Sequence, residues 1–167
     1  MAEITLGGKT TKTNGNLPKV GAQAPNFNLA KENLSNATLA DYKGKKVLMN
    51  IFPSVDTQVC ATSIREFNER AKKSADNVQV LCISRDLPFA QKRFGAAEGV
   101  ENVEMLSDFS EGKFGQDYGL QITNGNFHHL NARAVVTLDE AGKVLYTQLV
   151  GEIGDQPDYD AALASFK

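Results

Sequence analysis

Val47-Leu48-Met49-Asn50-Ile51-Phe52-Pro53-Ser54-Val55-Asp56-Thr57-Gln58-Val59-Cys60 is the stretch on which the fold of this 167-residue chain turns. The apolar run 47–52 reads as a buried strand, Pro53 ends it, and Asp56 and Thr57 are both residue types that cap a helix starting at Gln58. Cys60 then falls in the first turn of that helix. Free backbone N–H groups and the positive end of the helix dipole favour a thiolate there over a thiol, so the placement points to a nucleophile, provided the sulfur is accessible. Thr57, one turn earlier, carries a hydroxyl able to hydrogen-bond the sulfur or a substrate oxygen, and Pro53 is placed to shield the sulfur from water. A packing role fits the spacing too, because Cys60, Ile64, Phe67 and Ala71 fall on one helix face at i, i+4, i+7 and i+11.

Working outward, the sequence predicts a strand–helix–strand unit: strand 47–52, helix 58 to about 73, and strand 78–84. Alternation of this kind implies parallel strands joined by a right-handed crossover. It places Cys60 at the carboxyl end of a strand, where open α/β sheets carry their sites. Arg65 with Glu69, and Glu66 with Arg70, stand at i, i+4 on the outer helix face. The run 78–84 is nearly continuous apolar sequence, as in a strand covered on both faces, and Cys82 in its middle reads as an inert core thiol.

Further along, Pro88 suits the first position of a helix over 87–94. A short strand is expected at 103–106 and a short helix at 111–118. Residues 131–138 and 143–150 form a hairpin turning at 139–142. Tyr159, Ala162, Leu163 and Phe166 give a closing amphipathic helix with Pro157 at its start. Upstream, Ile4, Leu6, the Gly7-Gly8 pair and residues 9–13 read as a β-hairpin, an edge decoration, followed by an extended lead-in with a short strand at 27–29. A parallel βαβ unit, then a hairpin, then a final helix is the order of a thioredoxin fold. The expectation is an α/β protein in a single domain, 1–167, with residues 1–17 as an N-terminal hairpin extension.

A formal net charge of −2 without a basic cluster argues against nucleic acid as a partner. Lys43, Lys45 and Lys46, interrupted by Gly44, read as a solvated turn. No stretch approaches the roughly 20 apolar residues of a membrane-spanning helix, and the N-terminus lacks the charged and apolar regions of a signal peptide, so a cytoplasmic protein is expected. Two cysteines are not a disulfide framework. A Cys-x-x-Cys oxidoreductase is disfavoured because none of residues 61–63 is cysteine. His128 and His129 are a weak metal signal without neighbouring ligands at metal-site spacing, and no phosphate loop, haem motif or dinucleotide fingerprint is present.

Pro53-x-x-x-Thr57-x-x-Cys60 resembles the active-site signature of the peroxiredoxins, and the wider string from Asn50 to Cys60 looks like their bacterial thiol peroxidase branch. Leu81-Cys82-Ile83-Ser84, Asp86-Leu87-Pro88-Phe89-Ala90-Gln91, Ala96-Ala97-Glu98-Gly99, Ala132-Arg133-Ala134-Val135-Val136 and Pro157-Asp158-Tyr159-Asp160-Ala161-Ala162-Leu163 agree with it, so the resemblance runs over nearly the whole chain. It implies a cofactor-free peroxidase in which the Cys60 thiolate attacks hydrogen peroxide or an alkyl hydroperoxide and becomes a sulfenic acid. The Thr57 hydroxyl and the N–H groups around Val59 and Cys60 then hold the peroxide oxygens. The resemblance assigns the cation of the site to Arg133; an arginine in an apolar strand is costly to bury unpaired, which fits. It also implies thioredoxin as reductant and a homodimer packed near the active-site loop.

One departure stands out. The branch normally places a resolving cysteine directly after the Arg93-Phe94 pair, and this chain has Gly95. Three readings are open: a natural or introduced replacement that leaves peroxide reduction intact, one-cysteine turnover with an external thiol, or Cys82 as resolver after large local unfolding. A rival reading makes the chain a slow-turnover redox sensor or binding module that uses Cys60 as a switch.

Overall fold

Along the chain run β1 (Glu3–Leu6), β2 (Lys9–Lys12), β3 (Asn28–Lys31), β4 (Asn36–Thr38), a 3-10 turn over Leu39–Tyr42, β5 (Lys46–Ile51), α1 (Gln58–Lys73), β6 (Val78–Ser84), α2 (Pro88–Glu98), β7 (Val103–Ser107), α3 (Lys113–Asp117), β8 (Ala134–Leu138), β9 (Val144–Leu149) and α4 (Tyr159–Ala164). The structure is a computed structural model and describes residues 2–73 and 77–167. Seven strands form one sheet in the order β4-β3-β7-β6-β5-β8-β9, and β1 pairs with β2 in a sheet of their own. The centre, β5–β6–β7, is parallel, and the strands flanking it, β3 and β8, run antiparallel to it. This is the thioredoxin-fold order, extended by β3, β4 and the N-terminal hairpin.

Side-chain alternation along the central strands builds two cores. Leu48 and Phe52 of the β5 segment, Val80 and Cys82 of β6, Met105 of β7 and Val135 of β8 pack on one face with Cys60, Ile64 and Phe67 of α1 and with Ala162 of α4. Met49, Ile51, Leu81, Ile83, Leu106, Ala134 and Val136 turn to the other face, against Phe27, Tyr42, Phe114, Tyr118 and Ile153. Because β5 and β6 are covered on both faces, their near-continuous apolar runs follow from position.

Helix α1 and strand β6 have the predicted bounds. The strand expected at 27–29 lies one residue later, as β3, and β4 was not anticipated. The turn joining them holds Leu34 at φ 71, a conformation that a β-turn signature of Gly or Asn would have advertised and leucine does not. The helix expected over 87–94 continues to Glu98, where Gly99 at φ 64 caps it with its N–H on the Gly95 carbonyl. On α1, Arg70 does pair with Glu66 at 3.0 Å, whereas Arg65 reaches Glu98 of α2 at 3.3 Å.

Candidate active site

The loop between β5 and α1 is fastened from outside its own sequence. Phe52 N–H donates to the Ile83 carbonyl, the last β5–β6 contact, and Pro53 is buried. The Asp86 carboxylate, just past β6, then takes three donors: the Ser54 hydroxyl at 2.7 Å, the Val55 N–H at 2.8 Å and the Ser84 hydroxyl at 2.5 Å. The Ser107 hydroxyl donates to the Asp86 carbonyl. Thr57 closes the loop on itself, both its N–H and its hydroxyl donating to the Ser54 carbonyl, at 3.2 and 3.1 Å.

The helical ladder of α1 opens with Ala61 N–H on the Thr57 carbonyl. The N–H groups of Gln58, Val59 and Cys60 therefore precede it and make the start of the helix a region of positive potential. Into that region comes the cation. Arg133, 1% exposed, directs Nη2 to the Cys60 sulfur at 3.2 Å and Nε to the Ile153 carbonyl at 2.8 Å. Its Nη1 is buried and has no hydrogen-bond partner among the described residues. A guanidinium removed from water is costly unless negative charge or good acceptors surround it. Its hydrogen-bond partners here are one carbonyl and one sulfur, and Nη1 offers a donor to a further acceptor.

Arg133 stands one residue ahead of β8 rather than inside the strand expected over 131–138. Its carbonyl accepts from Val150 N–H, and Ala134 next to it pairs with Ile51, which brings the side chain to the end of β5. The Thr57 hydroxyl, expected to reach the sulfur or a substrate oxygen, donates to the Ser54 carbonyl at 3.1 Å, which leaves its oxygen able to accept. Cys60 itself is fully buried, at 0% exposure.

Cys82 is fully buried, and burial pushes its thiol up to about 12, offset in part by Asn50. It lies on the same face of the sheet as Cys60, joined to it by a buried polar chain: Asn50 Nδ2 approaches Cys82 Sγ at 3.9 Å and donates to Ser63 Oγ at 3.1 Å, and Ser63 donates to the Cys60 carbonyl at 2.8 Å. Both cysteines are free thiols. Gly95 sits half-buried within α2 at an ordinary helical φ, and a Cβ there would meet Glu32 Oε1 at 3.5 Å and Val100 Cγ2 at 3.9 Å, both ordinary contacts. His128 and His129 stack ring on ring, 3.8 Å between centroids. The residue that sequence reasoning passed over is Asp86. Its position at the carboxyl end of a parallel strand was the available signal.

The Redoxin family matches residues 19–163. A thiol peroxidase of Mycobacterium tuberculosis is 53% identical over 165 residues, spanning 99% of this chain and 98% of its own length. One from Corynebacterium glutamicum is 52% identical, covering 99% of each. A solved peroxiredoxin-like protein from Aquifex aeolicus shares the fold at a TM-score of 0.92 and 35% identity, with 99% of this chain and 96% of that one covered.

Proposed function

The chain belongs to the peroxiredoxins, in their thiol peroxidase branch, and we propose that Cys60 is the sulfur through which it works as a thiol-dependent peroxidase. The observation that carries this reading is the Arg133 Nη2 to Cys60 Sγ contact of 3.2 Å in full burial. The Cys60 thiolate attacks the terminal oxygen of a hydroperoxide, R–O–OH, in line with the O–O bond. An S–O bond forms, the O–O bond breaks, and its electron pair leaves as RO⁻, which takes a proton to become an alcohol or, for hydrogen peroxide, water. The sulfur is oxidised to sulfenic acid and the peroxide reduced.

Each neighbour has a part in that step. Arg133 holds the charge on sulfur through Nη2, and its uncommitted Nη1 is placed to polarise the peroxide. The Val59 and Cys60 N–H groups supply donors for charge moving onto the departing oxygen. Thr57, acceptor-only in this arrangement, receives the peroxide O–H, and buried Pro53 keeps water from the sulfur. Recycling uses two external thiols: the first attacks the sulfenic acid, releasing water and leaving a mixed disulfide, and the second frees the Cys60 thiol with a new disulfide between the donors. Thioredoxin supplies both.

Gly95 supports direct recycling, because α2 presents no sulfur where the branch usually has one. We read the whole chain as one domain, cytoplasmic, and as a homodimer that packs near the active-site loop. Exposed Leu87 and Phe89, which follow Asp86, and exposed Phe109 support that surface. Gly95 equally favours a slow redox switch on Cys60; steady peroxide consumption with thioredoxin supports the enzyme, and a single burst supports the switch.

The test is peroxide consumption by Cys60→Ser and Arg133→Met, with folding checked by circular dichroism. Cys60→Ser is expected to be inactive, and Arg133→Met to oxidise about 10²–10³-fold more slowly. Unchanged consumption in a folded Cys60→Ser protein removes the proposal.

A further inference from the structure

We infer that the N-terminal hairpin is a latch that positions Arg133, and that the Glu152 carboxylate is the residue that closes it. The inference rests on the role given above to Arg133. Of the three nitrogens of that guanidinium, Nε alone is anchored to backbone, on the Ile153 carbonyl at 2.8 Å. How firmly the fork faces Cys60 therefore depends on how firmly Ile153 is held.

Ile153 is held by the hairpin. Its N–H donates to the Thr5 carbonyl at 2.8 Å, and Thr5 N–H donates to the Gly151 carbonyl at 2.7 Å, making a parallel bridge between Thr5 of β1 and Glu152. The Glu152 side chain then closes over the same junction. Oε1 accepts the Thr5 hydroxyl at 3.0 Å and the Gly8 N–H at 2.8 Å, and Oε2 accepts the Gly7 N–H at 3.3 Å and the Gly154 N–H at 2.8 Å. Gly7 and Gly8 stand at φ 59 and 82, a turn that aims both N–H groups at one point. Ile4 and Ile153 are buried in one cluster beneath the junction.

Only a carboxylate satisfies four donors at once, since it accepts on both oxygens and donates from neither. The donors, with the Gly154 and Gly8 N–H groups foremost, hold the Glu152 carboxyl down to about 2. β1 and β2 lie outside the seven-stranded sheet, and a two-stranded hairpin is marginal in water by itself. Its hold on the 151–154 segment runs through these contacts. Without Glu152 the turn is released, Ile153 gains freedom, and Nε loses a fixed acceptor. The fork then has one fewer restraint on facing the sulfur. Glu152 and Thr5 touch no reacting atom; both are positioning residues.

The test is a double-mutant cycle on the second-order rate of Cys60 oxidation by hydrogen peroxide, comparing the parent with Glu152→Ala, Arg133→Met and the double variant. Glu152→Ala is expected to slow oxidation about tenfold where Arg133 is present and less than about twofold where it is not, because a misplaced guanidinium matters only if it is there. Equal losses in both backgrounds would mark a general structural effect and overturn the latch, as would a full rate in folded Glu152→Ala. If Arg133→Met keeps the parent rate, the reading of Arg133 fails and the latch with it; if Arg133→Met is slow and Glu152→Ala is not, only the latch fails. Should Glu152→Ala not fold, Thr5→Val removes one hydroxyl and leaves the backbone bridge. A smaller loss that vanishes with Arg133→Met supports the inference, and an undiminished rate refutes it.

Discussion

A guanidinium at 1% exposure between a carbonyl and a sulfur makes shape as important as charge. Arg133→Lys keeps the cation but cannot span both partners, since an ammonium is a point donor on a flexible stem. Its Cys60 oxidation rate is therefore expected near that of Arg133→Met, as stopped-flow measurement would show; a rate near the parent would mean that charge alone suffices. At Asp86 the demand is for acceptors. Asp86→Asn places an amide donor among three donors, and a loss of about 1–3 kcal/mol in denaturant unfolding is expected together with slower oxidation. Cys82, its thiol raised to about 12, contributes packing. Cys82→Ala should retain peroxide consumption and lose about 1–2 kcal/mol of stability; a disulfide joining Cys60 and Cys82 after one equivalent of peroxide, seen by mass spectrometry, would contradict this.

At the scale of elements, α1 and α2 differ in what they give the site. α1 delivers its first turn, with N–H groups ahead of the ladder and Cys60 among them. α2 begins two residues after the Asp86 clamp, at Pro88, and carries Gly95 at a position with no conformational need for glycine. Gly95→Ala is accordingly expected to stabilise the protein by about 1 kcal/mol in thermal or chemical unfolding. Gly95→Cys should form an intramolecular disulfide with Cys60 after peroxide treatment, visible as the loss of both thiols; persistence of a free thiol at 95 beside oxidised Cys60 would show that α2 does not open toward the site.

For the molecule as a whole, the site lies where the ends of β5 and β8 meet the start of α1, and remote segments converge on it. Glu152 is held low by its donors and so contributes stability that is present above its ordinary value of 4.5 and is lost as pH falls toward about 2. The stability gap between the parent and Glu152→Gln is expected to narrow over that interval in acid denaturation. Buried Asp108 is shifted upward, mainly by desolvation, so its contribution has the opposite sign, present in acid and lost as pH rises above 3.8. Among the described residues no helix is long and apolar enough to cross a membrane. The periodicity of 47–84 was enough by itself to specify the βαβ unit, with α1 starting at Gln58, β6 bounded to the residue, the first strand one residue earlier than expected and Cys60 in the first helical turn, because strand, breaker and cap signals are local. The β3–β4 hairpin escaped because its turn strains a leucine, and the Asp86 clamp, the orphaned Nη1 of Arg133 and the Thr5–Glu152 junction could not be seen at all. The clamp and the junction join residues 31 and 147 positions apart, as Nη2 joins Arg133 to Cys60 across 73, and only the packed sheet brings such groups within hydrogen-bonding distance.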